Sequence, residues 1–380
     1  MTSTPVAAPS AGLLRALIVK LASRCNLNCS YCYLYNHEDR GYLGRPKFMS
    51  EPVFGALLER VGEYCGRRPG HSMSLVFHGG EPMLMNAATF DRYATMAEER
   101  LGDALGRLSI QTNATRVTAE WAEALARHGI AVGVSIDGPA DVHDRVRVDH
   151  GGRGSHADAM AGIDRLREAG IEPEVLCVVN PECSGAGVYR HFRSEGITWM
   201  NFLLPDVSHD NKEAIYGRFG PTPVADYLIP AFDAWIAEDD PSVVVAVFQE
   251  LLQRLMGGPG TFDTFGNPLM GYLVVETDGS IEALDALKVC DDGIASSGLD
   301  VVSAGFDDLG LGMPLVHQAV HEGFPLCARC EACELVGTCG GGYLPHRYSR
   351  RNGFDNESVW CRDIIALLGH MQRTIERADA

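Results

Sequence analysis

The sequence predicts an α/β fold, a partial (β/α)6 TIM-type barrel followed by a smaller C-terminal region. From Ala16 to Pro205, six short apolar runs alternate with amphipathic stretches, which is typical of repeated strand and helix units around a parallel sheet. Several amphipathic stretches also open on Ser or Thr and close on Gly, as capped helices do. In such a barrel the chemistry lies at the carboxyl ends of the strands, so residues that follow the apolar runs are candidate site residues.

The six predicted strands and the five helices between them fill residues 14–205, which we assign to one barrel domain. The strands are ALIVKLA from Ala16, MSLVFH from Met73, LSIQTN from Leu108, AVGVSID from Ala131, PEVLCVVN from Pro173 and WMNFLLP from Trp199. The helices are SEPVFGALLERVGEYC, ATFDRYATMAEERL, TAEWAEALARHG, SHADAMAGIDRLREAG and AGVYRHFRSEG.

A second region begins after the last of these strands. TPVADYLIPAFDAWIAEDD and SVVVAVFQELLQRLM predict two helices, which make residues 206–260 a helical connector. Residues 261–380 form the predicted C-terminal domain. There YLVVETDGSIEAL predicts a hairpin, a stretch rich in Cys and Gly follows, and DIIALLGHMQRTIERA predicts a closing helix.

Composition narrows the class of protein. The chain has 380 residues, 46% of them hydrophobic, which is enough for one large core and an appended domain. The opening MTSTPVAAPSAG has neither a basic start nor an apolar run, and no stretch has the length of a membrane span, so we expect a cytoplasmic protein with no membrane partner. A net charge of -18 argues against a nucleic-acid partner.

The twelve cysteines are the strongest functional signal. In a reducing compartment, cysteines at short spacings are metal ligands or catalytic groups more often than disulfides. Isolated cysteines pack as small hydrophobes, which is our interpretation of Cys65, Cys177 and Cys183. The clustered ones are Cys25, Cys29, Cys32, Cys327, Cys330, Cys333, Cys339 and Cys361.

The first cluster, Cys25, Cys29 and Cys32, directly follows the first strand. Three thiolates can hold three irons of a 4Fe-4S cluster and leave the fourth iron open to a small ligand. A zinc knuckle is the alternative that spacing alone leaves open. C-x3-C-x2-C with an aromatic residue, Tyr31, before the last cysteine resembles the radical S-adenosyl-L-methionine (SAM) enzymes. The resemblance implies that SAM binds the open iron and is cleaved to a 5′-deoxyadenosyl radical.

Motifs after the later strands strengthen the resemblance and supply the other cofactor-binding candidates. HGGEP ends the second strand, and the resemblance implies that its backbone and Glu81 meet the SAM amine. QTNAT and SIDGP follow the third and fourth strands, and HDRVR fits a segment whose arginine faces the SAM carboxylate. The predicted SAM-binding residues are Tyr31, Gly79, Gly80, Glu81, Gln111, Asn113, Ser135 and Arg147.

The C-terminal cysteines give a second signal. Cys330-x2-Cys333-x5-Cys339, closed by Cys361, resembles the auxiliary-cluster part of the SPASM domain of radical SAM enzymes that modify peptides. Four thiolates saturate a 4Fe-4S cluster, so its natural role is electron transfer. A structural zinc site made by the same thiolates is the alternative.

This chain departs from the full SPASM pattern at two positions. Leu284 and Tyr343 stand where that pattern has cysteines of a first auxiliary cluster. We therefore expect a single auxiliary 4Fe-4S cluster. Cys290 and Cys327 are possible substitute ligands, but neither has the family spacing.

Further motifs suggest a subfamily. SRCNLNCSYCYLYNH, GRPKFMS, FLLP, VVETDGSIEALDALK and CGGGYLPHRYSRRNGFDNESVWC together look like the cyclophane-forming maturases of ribosomally made peptides (RiPPs). The resemblance implies an enzyme that joins an aromatic ring to the Cβ of a nearby residue in a precursor peptide, with an electron donor such as flavodoxin or ferredoxin. Two alternatives stand beside it: a sulfatase-type maturase that oxidises Ser or Cys to formylglycine, and a non-catalytic scaffold that contains zinc.

Asp285 is the predicted catalytic base. In SPASM enzymes that oxidise a side chain, a catalytic Asp follows the Gly-x4-Cys segment, and this chain has GSIEALD at that place. We expect an ionised carboxylate that partial burial makes a stronger base. A solvated hairpin Asp is the structural alternative, and Asp206 and Glu276 are the next candidates for the base.

Overall fold

The computed structural model describes residues 13–260, 262–308, 315 and 318–378. The first twelve residues, for which the sequence predicts no targeting segment, lie outside this range, as do parts of the predicted C-terminal domain. Among the described helices, none combines the length and apolarity needed to cross a bilayer.

One mixed sheet of ten strands organises the described part of the chain, in the order β10-β9-β8-β1-β2-β3-β4-β5-β6-β7. The strands are β1 (Ala16–Ala22), β2 (Met73–Gly79), β3 (Leu105–Thr112), β4 (Ala131–Ser135), β5 (Glu174–Val178), β6 (Trp199–Leu203), β7 (Val244–Val245), β8 (Tyr272–Val275), β9 (Ser280–Glu282) and β10 (Ser296–Asp300).

Strands β1 to β6 are parallel neighbours in chain order, so the predicted α/β fold and its six strand-helix units are confirmed. The sheet continues beyond these six on both sides. At one edge β7 pairs in parallel with β6, inside the predicted helical connector, and at the other β8 pairs in parallel with β1. The predicted hairpin is present as the antiparallel pair β8 and β9. The C-terminal region thus extends the barrel sheet.

Ten helices accompany the sheet in the described ranges. They are α1 (Glu51–Gly66), α2 (Ala87–Leu101), α3 (Ala119–Arg127), α4 (Ala140–Val146), α5 (His156–Glu168), α6 (Gly185–Ser194), α7 (Lys212–Tyr216), α8 (Pro223–Glu238), α9 (Ala246–Leu255) and α10 (Cys361–Ala378). Short helical turns lie at Gly41–Gly44, Pro82–Leu84, Gly102–Ala104, Gly217–Phe219, Asp285–Val289, Gln318–Glu322, Ala328–Glu331, Val336–Cys339 and Leu344–Arg347.

Local sequence explains where the barrel helices begin and end. The side chains of Ser50, Thr118 and Ser184 accept hydrogen bonds from the first-turn N–H groups of α1, α3 and α6. After α3 and α6 the chain passes through Gly129 and Gly196 at positive φ, a conformation that glycine adopts without steric cost.

The C-terminal region closes the carboxyl end of the barrel. Trp360 is fully buried, and its indole N–H donates to the carbonyl of Pro205, just beyond β6 (3.1 Å). Asp363, in the first turn of α10, accepts hydrogen bonds from the N–H groups of Val224 and Ala225 in the first turn of α8. These contacts place the cysteine-rich tail beside the strand ends where a barrel carries its chemistry.

Candidate functional site

The three-cysteine loop leaves β1 at the carboxyl end of the barrel. The N–H groups of Asn28 and Ser30 donate to the carbonyls of Val148 and Val146, at 2.7 and 2.9 Å, which fixes the loop to the chain that follows α4. The thiols of Cys25, Cys29 and Cys32 line a cavity of about 220 Å³, called here the cysteine cavity.

The donor set of this loop fits an iron-sulfur cluster. Burial raises the pKa of all three thiols, that of Cys32 to about 11, so the thiolates need a cation beside them. The guanidinium of Arg147 opposes the shift at Cys29, whose sulfur lies 3.9 Å from Nη1. The described residues hold no group of three His, Cys, Asp or Glu side chains already gathered as metal ligands. Three thiols on one wall of a cavity are nevertheless the ligand set that a 4Fe-4S cluster with one open iron requires.

The glycines of HGGEP bring the end of β2 against the chain that leads to Cys25. The N–H of Gly80 donates to the carbonyl of Ala22 (2.8 Å), and the N–H of Glu81 donates to that of Arg24 (3.0 Å). A Cβ atom on Gly80 would lie 2.5 Å from the Arg24 backbone, and one on Gly79 would lie 2.3 Å from the Ala22 carbonyl oxygen. The close approach that these glycines permit is therefore to the cysteine loop itself.

Glu81 is buried in the wall of the cysteine cavity. Its carboxylate accepts hydrogen bonds from the Thr112 hydroxyl (2.7 Å) and from the N–H groups of Asn113 (2.8 Å) and Met83 (2.9 Å). Burial raises the pKa of Glu81, although these three donors oppose the shift. The carboxylate links the end of β2 to the end of β3.

Three more of the predicted residues, Gln111, Ser135 and Asn113, line the same cavity. The Gln111 amide donates to the Ser135 hydroxyl (2.7 Å), which joins the ends of β3 and β4. The Asn113 amide donates to the side-chain carbonyl of Asn26 (3.1 Å), inside the cysteine loop. All the predicted SAM-binding residues thus line one cavity with the three cysteines.

Asp137 connects the residues around Arg147. Its carboxylate accepts hydrogen bonds from Arg147 Nε (2.8 Å), from the Tyr31 hydroxyl and from the N–H of Val178 (3.0 Å). The backbone N–H of Asp137 donates a hydrogen bond to Nδ1 of His143 (3.2 Å). Burial and the charge of Arg147 lower the pKa of His143 to about 3, so the imidazole ring is neutral at pH 7. Asp137 therefore positions the predicted cofactor ligands Tyr31 and Arg147.

Asp285 lies in a buried polar cluster that the sequence analysis did not assemble. Its carboxylate is 2.5 Å from Lys20 Nζ and accepts a hydrogen bond from the Tyr33 hydroxyl (2.9 Å). Lys20 also donates to Nδ1 of His78 (2.9 Å), and burial and Lys20 lower the pKa of His78 to about 3.

The ion pair with Lys20 makes the Asp285 carboxylate a weaker base than the sequence predicts. Burial alone would raise the pKa of its carboxyl, but Lys20 and His78 hold it below its usual range. The expectation that burial makes Asp285 a stronger base is therefore wrong, because the buried Lys20 compensates its charge. A lysine inside the apolar strand ALIVKLA was the available sign of a buried partner.

A second cavity of about 210 Å³ lies beside the cysteine cavity and shares part of its wall. The shared residues are Tyr33, Leu203, Leu204 and Asp206. Asp285 faces this second cavity, together with Asn201, Asp263, Tyr343 and His346. A molecule in the second cavity would contact both Asp285 and the wall of the cysteine cavity.

The four tail cysteines that were predicted as cluster ligands line one cavity. Cys330, Cys333, Cys339 and Cys361 line a mostly apolar cavity of about 220 Å³. Cys290 does not line it, and its thiol donates to the carbonyl of Pro345 (3.6 Å). The four thiols present the ligand set of one saturated cluster.

Comparisons with known proteins agree with this site. Residues 19–181 match the family model described as the radical SAM superfamily. Together with the cysteine cavity, this match supports a radical SAM enzyme, which uses SAM and a 4Fe-4S cluster.

Two relatives are similar over most of the chain. A cysteine-type anaerobic sulfatase-maturating enzyme of Clostridium perfringens is 24% identical, covering 92% of this chain and 94% of the relative. A serine-type anaerobic sulfatase-maturating enzyme of Bacteroides thetaiotaomicron is 27% identical, and the similarity covers 90% of this chain and 85% of the relative.

Solved structures share the fold. The structure of anSMEcpe with bound AdoMet superimposes with a TM-score of 0.82 at 22% identity, covering 96% of this chain and 99% of that one. A second anSMEcpe structure, with bound AdoMet and a Kp18Cys peptide, superimposes with a TM-score of 0.81 at 22% identity and covers 96% of this chain and 99% of that one.

The prediction of cyclophane formation is wrong. It rested on the resemblance of short motifs, which cover a small part of the chain. Similarity to sulfatase-maturating enzymes over about nine-tenths of the chain favours the first of the two alternatives, the sulfatase-type maturase.

Proposed function

We propose that this enzyme oxidises a Cys or Ser side chain of a peptide or protein substrate to formylglycine, as a sulfatase-type maturase. The observation that carries the proposal is the position of Asp285, whose carboxylate faces a second cavity that shares a wall with the cysteine cavity. A substrate side chain in that cavity lies between a base and the cofactor site. The sulfatase-maturating relatives support this choice of reaction.

The proposed cofactor ligands are the residues of the cysteine cavity. Cys25, Cys29 and Cys32 would hold the cluster. Gly79, Gly80, Glu81, Gln111, Asn113, Ser135, Tyr31 and Arg147 would surround SAM. When bound, the two cofactors supply a carbon radical that abstracts a hydrogen atom from the substrate.

Asp285 would accept the substrate proton. Oxidation of a Cys or Ser side chain to the aldehyde level removes one hydrogen atom, one proton and one electron. The hydrogen atom leaves Cβ, the proton leaves the thiol or hydroxyl, and the Asp285 carboxylate is ionised and available to accept it. Ser gives the aldehyde directly, whereas Cys gives a thioaldehyde, which takes up water and releases hydrogen sulfide to become the aldehyde. Lys20 and Tyr33 hold the carboxylate in place from the side of β1 and the cysteine loop.

The tail site would receive the electron. Cys330, Cys333, Cys339 and Cys361 would hold one auxiliary 4Fe-4S cluster, whose chemistry is electron transfer. An external carrier such as flavodoxin or ferredoxin would supply the electron that starts the reaction. Leu284 and Tyr343 leave no thiolates for a further cluster at their positions.

Anaerobic turnover tests the proposal. The reconstituted enzyme is mixed with SAM, dithionite and two peptides that differ only in Cys or Ser at one position. We expect an aldehyde in at least one peptide, trapped with a hydrazide and located by mass spectrometry. Formation of 5′-deoxyadenosine with both peptides left unoxidised would contradict the proposed reaction.

A further inference from the structure

We propose that Arg347 raises the reduction potential of the cluster at the four tail cysteines, called here the tail cluster. Arg347 would thereby make the tail cluster a better acceptor of the electron that oxidation of the substrate releases. The inference rests on the part of the proposed function that assigns a 4Fe-4S cluster to the tail cysteines, and it does not depend on which side chain is oxidised. Arg347 is the last residue of the short helical turn Leu344–Arg347.

Arg347 is a buried cation whose hydrogen bonds, within the described ranges, go to no carboxylate. The residue is 1% exposed. Its Nη2 donates to the carbonyl oxygens of Pro325 and, at 3.1 Å, of Phe354. Its Nε is buried and has no hydrogen-bond partner among the residues that the structure describes. A buried charge is costly unless an opposite charge compensates it, so this guanidinium requires an anion nearby.

The guanidinium lies directly behind the wall of the cavity that the tail cysteines line. Gly341 lines that cavity too, and a Cβ atom on Gly341 would lie 3.9 Å from Nε of Arg347. Because Gly341 has no side chain, only its backbone stands at this point of the wall.

The thiols are the dominant acidic neighbours of Arg347. Burial lowers the pKa of Arg347, and the thiols of Cys330 and Cys327 oppose this shift more strongly than the exposed carboxylate of Asp355 does. The anion that the guanidinium requires is therefore on the side of the tail cysteines.

A 4Fe-4S cluster held by four thiolates is such an anion. Its reduction adds an electron and no proton, so the negative charge beside Arg347 increases. The attraction between opposite charges grows with the charge, and Arg347 therefore stabilises the reduced cluster more than the oxidised one. Net charge and hydrogen bonds to the sulfurs are among the factors that set the potential of such clusters.

A redox titration of the tail cluster alone tests this inference. In the full chain, Cys25, Cys29 and Cys32 are changed to Ala, so that anaerobic reconstitution loads only the tail. Arg347→Met, added to this triple variant, removes the charge and keeps an unbranched side chain. At a fixed applied potential, followed by electron paramagnetic resonance, we expect the ratio of reduced to oxidised cluster to fall about tenfold. For one electron this is a shift of about 59 mV to lower potential.

Further variants separate charge from packing. Arg347→Lys keeps the charge, so its ratio should stay within about twofold of that of the triple variant. Arg347→Gln is neutral and should behave like Arg347→Met, which gives a second test if one variant fails to fold, as checked by near-UV circular dichroism. Exposed Arg362, beside Cys361, is changed to Met as the control, and water should limit its effect to less than about twofold.

The outcomes separate this inference from the proposed function. An unchanged potential in the neutral variants, an equal shift in Arg347→Lys, or loss of the cluster from both neutral variants would overturn the role of Arg347. Iron and sulfide are measured first. About four irons in the triple variant with an unchanged potential in Arg347→Met contradicts this inference alone, whereas a tail without an iron-sulfur cluster contradicts both the proposed electron acceptor and the inference.

Discussion

At the scale of single residues, function depends on charges that are buried and compensated. Lys20 and Asp285 are 265 positions apart in the chain and lie 2.5 Å from each other in the structure. Local sequence patterns describe neighbours along the chain, so the lysine in β1 and the aspartate after β9 could each be noted but not paired. The spacing of Cys25, Cys29 and Cys32, by contrast, could be interpreted directly because all three lie in one loop.

Replacing Asp285 by Asn removes the proposed base with little change in shape. The variant should still cleave SAM, since Asp285 is not part of the cysteine cavity, but should yield less than about 1% of the wild-type aldehyde, within the range for loss of a general base. The measurement is the amount of aldehyde formed for each molecule of 5′-deoxyadenosine released. Asp278→Asn, at the exposed turn of the same hairpin, should behave like wild type, and wild-type aldehyde from Asp285→Asn would assign the base elsewhere.

Lys20 should set the pH range in which Asp285 can act as the proposed base. Because the pKa of Asp285 is below its usual range, protonation of this group should not reduce wild-type kcat/KM between about pH 5 and 8. In Lys20→Met, burial is no longer opposed and the pKa of Asp285 rises, so activity should fall as the pH is lowered through that range. Profiles of kcat/KM against pH are measured for the wild type and for Lys20→Met. The same decrease of kcat/KM at low pH in both proteins would show that Lys20 does not lower the pKa of Asp285.

The same pair should affect stability. A carboxyl whose pKa is lowered on folding stabilises the fold above its unfolded pKa and loses that contribution only as the pH falls through the folded value. Lys20→Met leaves a buried carboxylate without its cation, which should cost about 3 kcal/mol of unfolding free energy at pH 7. Urea titration of the two proteins measures the difference, and a change under about 0.5 kcal/mol would mean that the pair is not compensated as described.

At the scale of elements, the end of β2 holds the cysteine loop. The glycines of HGGEP were predicted to approach SAM, and in the structure they approach the backbone of Ala22 and Arg24. Sequence alone could identify glycines that permit a close approach, but not the surface approached. The six parallel strands were predictable because amphipathic helices separate the apolar runs, and three of these helices begin at a capping Ser or Thr. The two-residue strand β7 was not, because it merges with the apolar face of α9.

Gly80→Ala tests the contact between β2 and the cysteine loop. The added Cβ would lie 2.5 Å from the Arg24 backbone, so the loop must shift and the hydrogen bonds of Gly80 and Glu81 must weaken. We expect a loss of about 2 kcal/mol of unfolding free energy and several-fold slower SAM cleavage. Gly66→Ala, which meets open space at the end of α1, is the control, and equal behaviour of both variants would show that the contact is unimportant.

The cysteine-rich tail should hold a single cluster. Anaerobic reconstitution of the wild type should give about eight irons and eight sulfides per chain, and Cys330→Ala with Cys333→Ala should give about four of each. The double variant keeps the cysteine cavity and should still cleave SAM in the presence of dithionite. About twelve irons in the wild type, or zinc in place of the second cluster, would contradict the assignment of the tail.

At the scale of the whole molecule, the barrel and the C-terminal region form one unit. Strand β8 pairs with β1, so the hairpin that carries Asp285 is joined to the strand that carries Lys20 and leads to the three cysteines. This continuity brings the proposed base, the cysteine cavity and the second cavity together at one end of the sheet. Sequence patterns predicted both regions but not their shared sheet, because strand pairing between distant segments leaves no local signature.

Transfer of deuterium from the substrate to 5′-deoxyadenosine tests the proposed oxidation at Cβ. A peptide with Cys deuterated at Cβ is incubated with the enzyme, SAM and dithionite under anaerobic conditions. We expect deuterium in 5′-deoxyadenosine together with an aldehyde at the same peptide residue. Deuterated 5′-deoxyadenosine from a peptide that carries a new carbon-carbon bond, or 5′-deoxyadenosine without deuterium, would contradict it.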